Sequence, residues 1–182
     1  MDRLFIIALL DSQTSDYCHE LWCEYAGEVT VAYENVESIS LNPHITLATL
    51  DVPDAKEFAG ESSTLFSGLP AFDVHFGEIG YYENLASVSL LPDKKGMLMD
   101  AFARATGIHP ECLTKFYNEG PEVYLPHVTL FHDGHMSREK LSEIGKQLQT
   151  HFQPFTGQIK EIDYSVLLKE SHFQILKRIK LR

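Results

Sequence analysis

Two five-residue stretches of this chain repeat one pattern: Pro43-His44-Ile45-Thr46-Leu47 and Pro126-His127-Val128-Thr129-Leu130. Side chains alternate faces along a β-strand, so a His and a Thr two residues apart share one face while the aliphatic residue between them faces a core. Each stretch therefore reads as a strand that carries an imidazole and a hydroxyl side by side. A bare His-x-Thr is common. The full pattern of Pro, His, aliphatic, Thr, Leu is expected by chance on the order of once in a few thousand chains, and here it occurs twice. The plainer alternative is a pair of half-buried strands with incidentally similar sequences. If the strands face one another, two imidazoles and two hydroxyls surround one small anion.

The rest of the chain supplies elements to carry these strands. The apolar run Arg3 to Leu10 reads as a buried strand. Thr14 or Ser15 is placed to cap a helix in which Tyr17, Leu21 and Tyr25 recur every four residues beside Trp22. The first motif strand runs from about His44 to Leu50. Pro53 suits the first turn of a following helix, with Ala55, Phe58 and Ala59 facing the core and Gly60 weakening or ending it. Phe72, Val74 and Phe76 alternate with Asp73 and His75, and a turn near Glu83-Asn84 leads back through Ala86 to Leu91, which makes a hairpin.

A helix starting at Pro92-Asp93 carries Leu98, Ala101, Phe102 and Ala105 on one side. Gly107 to Pro121 is loop-like, and the second motif strand spans about Val123 to Phe131. Ser137 caps a helix with Leu141, Ile144 and Leu148 on its buried stripe. The strands Gln158 to Leu168 and Phe173 to Leu181 close the chain around Lys169-Glu170-Ser171. No linker divides the halves. The expectation is an α+β fold with two similar lobes, each a mainly antiparallel sheet with flanking helices, forming one domain over residues 1–182.

Composition narrows the partner. The formal net charge of −11 disfavours a broad phosphate-tracking surface, because nonspecific nucleic-acid binding needs many Lys and Arg. A small or terminal phosphate suits it better than a long duplex. Cys18, Cys23 and Cys112 have no paired spacing and are odd in number, which fits a reducing, cytoplasmic compartment. The apolar start is too short to span a membrane and has no cleavage site after it, so no membrane partner is expected.

Opening a cyclic phosphate needs a base for the attacking water and an acid for the departing oxygen. Histidine serves both roles at neutral pH. Hydroxyl groups on rigid strands can donate to the equatorial oxygens of the transition state. No metal or other cofactor is required. The two His-aliphatic-Thr-aliphatic motifs, nearly half the chain apart, resemble those of the two-histidine (2H) phosphoesterase superfamily. That superfamily includes bacterial 2′-5′ RNA ligases and 2′,3′-cyclic nucleotide phosphodiesterases. The opening strand, the Phe72 to Leu91 hairpin and the terminal hairpin extend the resemblance over most of the chain.

The resemblance implies pseudo-twofold-related lobes with an active-site cleft between them. It implies that His44 and His127 are the acid/base pair and that Thr46 and Thr129 hold the phosphate. It further implies a cyclic phosphodiesterase acting on 2′-linked or 2′,3′-cyclic phosphates of nucleotides or RNA ends, with RNA 2′-5′ ligase activity as a further expectation. A monomer with a small nucleotide partner is expected. Many relatives carry a small or basic residue shortly after the second motif, where this chain has Phe131-His132, so the phosphate surroundings differ. The same site could instead act on 2′-5′ oligonucleotides, cyclic oligonucleotides or ADP-ribose cyclic phosphate, and a noncatalytic nucleotide- or RNA-binding module is the alternative from another class.

Other chemistry-bearing residues have plainer readings. His132, Asp133 and His135 contain metal-ligand types but sit in a turn-like setting without fixed spacing, so solvated loop residues are the simpler account. His75 alternates with core aromatics and reads as an exposed strand residue. Tyr82, Phe116, Tyr117 and Tyr124 are placed to stack on a nucleobase, against the plainer reading of core packing. Lys94, Lys95 and Lys115 read as solvated.

Overall fold

A computed structural model describes residues 1–25, 30–31, 43–114, 120, 122–132, 137–167 and 173–182. Eight strands and four α-helices lie within them: β1 Asp2–Leu10, α1 Ser12–Tyr25, β2 Thr30–Val31, β3 His44–Val52, α2 Ala55–Ser62, β4 Phe72–Tyr82, β5 Ser87–Pro92, α3 Gly96–Gly107, β6 Val128–His132, α4 Arg138–His151, β7 Phe155–Leu167 and β8 Phe173–Lys180. No helix among the described residues is long and apolar enough to cross a membrane.

All strand pairings are antiparallel, in the order β2-β6-β5-β4-β7-β1-β3, with β8 also on β7. The expected α+β fold with antiparallel sheets is therefore present, and the two sheets are continuous through β7. The start of β7 pairs with β4 through Phe155–Ile159, and its remainder pairs with β8 from Glu161 onward. One long strand thus serves both halves.

The order strand, helix, motif strand, helix occurs twice, as β1-α1-β3-α2 and as β5-α3-β6-α4 (the short β2 aside). In each copy the first strand pairs with the motif strand. The helices are exchanged: α1 packs on β6 and β7, whereas α3 packs on β3. Each half is covered partly by the other half's helix, a reciprocal arrangement that matches the twofold-like repeat in the sequence. The apolar face of the sheet and these helices enclose one large core that includes Ile6, Leu47, Phe76, Leu90, Leu130 and Tyr164.

Two glycines mark where helices press closest. A Cβ on Gly145 of α4 would stand 2.5 Å from the Tyr81 backbone nitrogen, and one on Gly157 of β7 would collide with Thr14 Oγ1. Neither site has room for a side chain, so the glycines set how near α4 and α1 approach the sheet.

Several expectations shift in detail. Helix α1 is capped by Asp11 instead of Thr14 or Ser15: one Asp11 oxygen accepts from Thr14 N at 2.9 Å, and the other accepts from Gln158 N at 2.9 Å. The carboxylate can serve the helix and the sheet at once, while Thr14 and Ser15 are buried within the helix. Pro53 precedes α2, and Asp54 caps it by accepting from Lys56 N and Glu57 N. Gly60 does not end that helix, which continues to Ser62.

The helix expected at Pro92-Asp93 begins at Gly96, with Leu98, Ala101, Phe102 and Ala105 buried as expected. Ser137 does cap α4, accepting from Lys140 N at 3.3 Å. The second motif strand starts at Val128 instead of about Val123, because Pro126 has no N–H to give to a ladder. The turn Lys169-Glu170-Ser171 and the side chains of Trp22 and Tyr25 lie outside the described residues.

Candidate active site

The burial pattern of the motif strands follows the alternation read from the sequence. Ile45, Leu47, Val128 and Leu130 are fully buried. His44, Thr46, His127 and Thr129 are half-buried on the opposite face. His44 opens β3, and His127 stands one residue ahead of β6.

Both strands then break alternation at the same motif position. Ile6 and Ile7 of β1 pair with Ala48 and Thr46, leaving Leu47 as the extra residue. Val88 and Ser89 of β5 pair with Phe131 and Thr129, leaving Leu130 as the extra residue. Each motif thus ends in a β-bulge, a feature that re-aims side chains and often lies next to reactive sites. The sequence carries a signal for it: Leu47-Ala48 and Leu130-Phe131 are consecutive apolar pairs, and all four are buried.

Although β3 and β6 are far apart along the ladder, the sheet curls enough to bring them into contact. Tyr124 fixes that approach. Its hydroxyl donates to the Thr46 carbonyl at 2.8 Å, and its ring stacks on Phe102 of α3 with centroids 3.9 Å apart and planes 16° apart. Tyr124 is three residues before His127, and three residues of extended chain reach no more than about 11 Å. One bond therefore ties the approach to the second motif onto the first motif's own Thr. Tyr124 is 2 % exposed, so its ring serves packing and offers no face to a nucleobase.

His127 Nδ1 lies 2.8 Å from the Leu125 carbonyl. A carbonyl only accepts, so Nδ1 carries the proton, and in the neutral ring Nε2 bears the lone pair. Strand register sets the floor beside each motif. In the first half His44 is in line with Leu9 and Glu161, and Thr46 with Ile7 and Asp163. Asp163 is buried and takes both oxygens to Arg178, at 2.8 and 2.7 Å. Arg178 also reaches Glu161 at 3.4 Å, and the Asp163 carboxylate raises the guanidinium pKa.

In the second half Thr129 is in line with Ser89 and Gly80. Ser87 and Ser89 are buried and hydrogen-bond each other at 2.9 Å. The first floor is thus apolar and ionic, and the second is small and polar. Only the pairing of distant strands reveals this difference.

The remaining candidates disperse. His75 is exposed on β4, its Nδ1 3.5 Å from Thr156 Oγ1. Lys94 Nζ donates to the Glu122 carbonyl at 2.9 Å, and Lys95 pairs with Asp93 at 2.6 Å. Tyr82 is half-buried on the face that carries Gly80. Among the described residues no group of three or more His, Cys, Asp or Glu is disposed to hold a metal. Phe116, Tyr117, Lys115, Asp133 and His135, and the side chain of His132, lie outside the described residues.

Residues 25–168 match the family model described as the 2′-5′ RNA ligase superfamily. No curated protein matches the chain. Among solved structures, E. coli LigT complexed with 3′-AMP is 19% identical with a TM-score of 0.65, covering 99% of this chain and 98% of that one. TT0787 of Thermus thermophilus is 16% identical with a TM-score of 0.63, over 99% and 98% of the two chains. Kluyveromyces marxianus Usb1 is 11% identical with a TM-score of 0.58, over 96% and 97%. E. coli LigT is also described in complexes with NADP+ and with ATP. At these identities the likeness is one of fold.

Proposed function

The chain belongs to the 2′-5′ RNA ligase superfamily, and from that premise we propose that it is a metal-independent phosphoesterase acting on 2′-linked or 2′,3′-cyclic phosphates of nucleotides or RNA ends. His44 and His127 are the acid/base pair, and Thr46 and Thr129 hold the phosphate. The observation that supports this most is the Tyr124 hydroxyl on the Thr46 carbonyl, which joins the two His/Thr motifs at one place on the curled sheet.

In the proposed reaction a neutral histidine takes a proton from water as the water oxygen bonds to phosphorus. The opposite histidine, protonated, donates to the ribose oxygen as its bond to phosphorus breaks. The two threonine hydroxyls donate to the nonbridging oxygens, where negative charge grows. The Leu125 carbonyl suits His127 to this work: holding Nδ1–H, it turns Nε2 outward as the exchanging nitrogen in either role. With the 5′-hydroxyl of a second ribose attacking the cyclic phosphate in place of water, and the 3′ oxygen leaving with the proton from the acid histidine, the same steps form a 2′-5′ bond. The formal net charge of −11 disfavours a long phosphate-tracking surface, which favours a mononucleotide or a chain end. The complexes of E. coli LigT with 3′-AMP, ATP and NADP+ point to the same class of partner.

The test is a turnover panel of 2′,3′-cyclic nucleotides, ADP-ribose cyclic phosphate and 2′-5′ oligomers with chelator-treated protein, separating 2′- from 3′-phosphate products. His44→Ala and His127→Ala are each expected to lower kcat by about 10²–10⁴-fold, the usual contribution of a general acid or base. Full activity in both variants, or loss of activity with chelator, would overturn the mechanism.

A further inference from the structure

The histidines of the two motifs are held in different ways. His44 stands inside a ladder: it pairs with Leu9 of β1, and Pro43 just ahead of it accepts from Leu10 N at 3.3 Å. His127 stands outside one. The pairing of β5 with β6 ends at Leu90 and Val128, and Pro126 has no N–H with which to extend it. Beyond that point the two chains part, Pro92 to Lys94 on one side and residues 122–127 on the other. Where His127 sits therefore depends on what holds the chain ahead of it.

That chain is tied into a turn. Gly120, at a φ of 91° that glycine adopts without strain, offers its carbonyl to Val123 N at 3.3 Å and to Tyr124 N at 3.2 Å. The inner side of the turn is fixed by Tyr124, whose ring lies on Phe102 and whose hydroxyl donates to the Thr46 carbonyl. The outer side is fixed by Lys94, whose Nζ donates to the Glu122 carbonyl at 2.9 Å. Only Leu125 and Pro126 separate the turn from His127. Pro126 locks its own φ and restricts Leu125 before it, and the Leu125 carbonyl holds His127 Nδ1. A shift of the turn thus passes to the imidazole with little slack.

Lys94 reads from the sequence as a solvated lysine, but its surroundings aim it. Asp93 N donates to the His75 carbonyl at 2.7 Å and Lys95 N to the Asp93 carbonyl at 2.9 Å, which closes a tight turn around Lys94 and fixes the root of its side chain. The neighbouring Asp93 carboxylate is taken by Lys95 at 2.6 Å. An ammonium donating to a carbonyl is a charge-assisted bond, stronger than a neutral one. We propose that Lys94 is a positioning residue for His127, joining the two chains again where Pro126 ends the ladder. The proposal rests on the phosphoesterase reading for what His127 does, and on the bonds just given for how it is held. Because Lys94 is exposed, it can be changed without opening the core.

The experiment is turnover of 2′,3′-cyclic AMP by wild type, by Lys94→Met, which keeps the stem and loses the donor, and by Lys94→Arg, which keeps a charged donor. Imidazole NMR spectra are recorded for each, and Lys94→Met is also placed on His127→Ala and on His44→Ala. Lys94→Met is expected to lower kcat about two- to tenfold, the worth of one hydrogen bond, with KM unchanged. Tm should move by no more than about 2 °C, as for other exposed substitutions. Lys94→Arg should recover most of the rate. The His127 ring signals should shift and broaden in Lys94→Met while those of His44 stay in place. The loss should persist on His44→Ala and vanish on His127→Ala, because residues acting through one group are not additive. Wild-type kcat in Lys94→Met, unmoved His127 signals, or equal losses on both histidine backgrounds would each overturn the proposal. A raised KM at unchanged kcat would put Lys94 on the substrate and overturn it as well. If wild type turns over no cyclic phosphate, the phosphoesterase reading falls, and the NMR comparison still decides whether Lys94 holds His127.

Discussion

Replacing Tyr124 with Phe removes one oxygen and keeps the ring, so the stack on Phe102 survives while the bond to Thr46 is lost. An acceptor stripped of its buried partner costs about 1–3 kcal/mol. This bond is only part-buried, so the lower end applies, about 1–1.5 kcal/mol. At about 2–4 °C per kcal/mol for a chain of this size, Tm should fall by about 2–6 °C. A purely structural bond would do no more.

If the bond also holds the two motifs in register, kcat on a cyclic nucleotide should fall about tenfold, since each 1.36 kcal/mol lost from transition-state stabilisation is about a factor of ten. KM should change little. Tyr164→Phe is the matched control: it loses a hydroxyl bond to the Ser62 carbonyl, 3.1 Å long and buried, on the core side of β7. Thermal melts and single-turnover kinetics on both variants decide the question. If the two lose similar Tm and both keep wild-type kcat, Tyr124 serves packing alone and the reasoning fails.

Gly145→Ala should lower Tm by about 4–8 °C: overpacking costs about 1–3 kcal/mol against a helix-propensity gain below about 1 kcal/mol, and here the new Cβ would meet backbone at 2.5 Å. A variant as stable as wild type would mean that α4 slides away freely. Alkaline pH should destabilise the fold in a defined window. Burial pushes the Tyr164 phenol up from 10.0 to about 12 and the Cys18 thiol up from 9.0 to about 12. Above the unfolded values only the unfolded chain ionises, so this stability is complete below about pH 9 and drains away towards pH 12. Tm measured from pH 8 to 11 should drop progressively, less steeply in Tyr164→Phe, and a flat profile would contradict the burial of both groups.

Much of the candidate site is legible because it is written in local periodicity. His44 and Thr46 face away from Ile45 and Leu47, as do His127 and Thr129 from Val128 and Leu130. Helix stripes such as Leu98, Ala101, Phe102 and Ala105 are legible for the same reason. The caps are less so. Asp11 caps α1 through a local bond to Thr14 N, and only its second bond, to Gln158 N almost the whole chain away, is invisible in the sequence. The approach to β6 reads as strand because alternation alone does not register that Pro126 cannot join a ladder.

What the sequence determined by itself is which side chains share a face: an imidazole and a hydroxyl together, twice, each backed by core aliphatics. Alternation is a property of a few neighbouring residues and needs no partner. Only the tertiary structure decided that the two motif strands meet, that α1 and α3 change sides, and that Tyr124 bonds to Thr46. It also decided that one motif rests on Ile7, Leu9 and an Asp163–Arg178 pair, and the other on Ser87, Ser89 and Gly80. Those outcomes depend on which strands pair, in what register and with what bulge. Pairing is chosen by the packing of the whole core, where residues distant in sequence compete for the same buried surface.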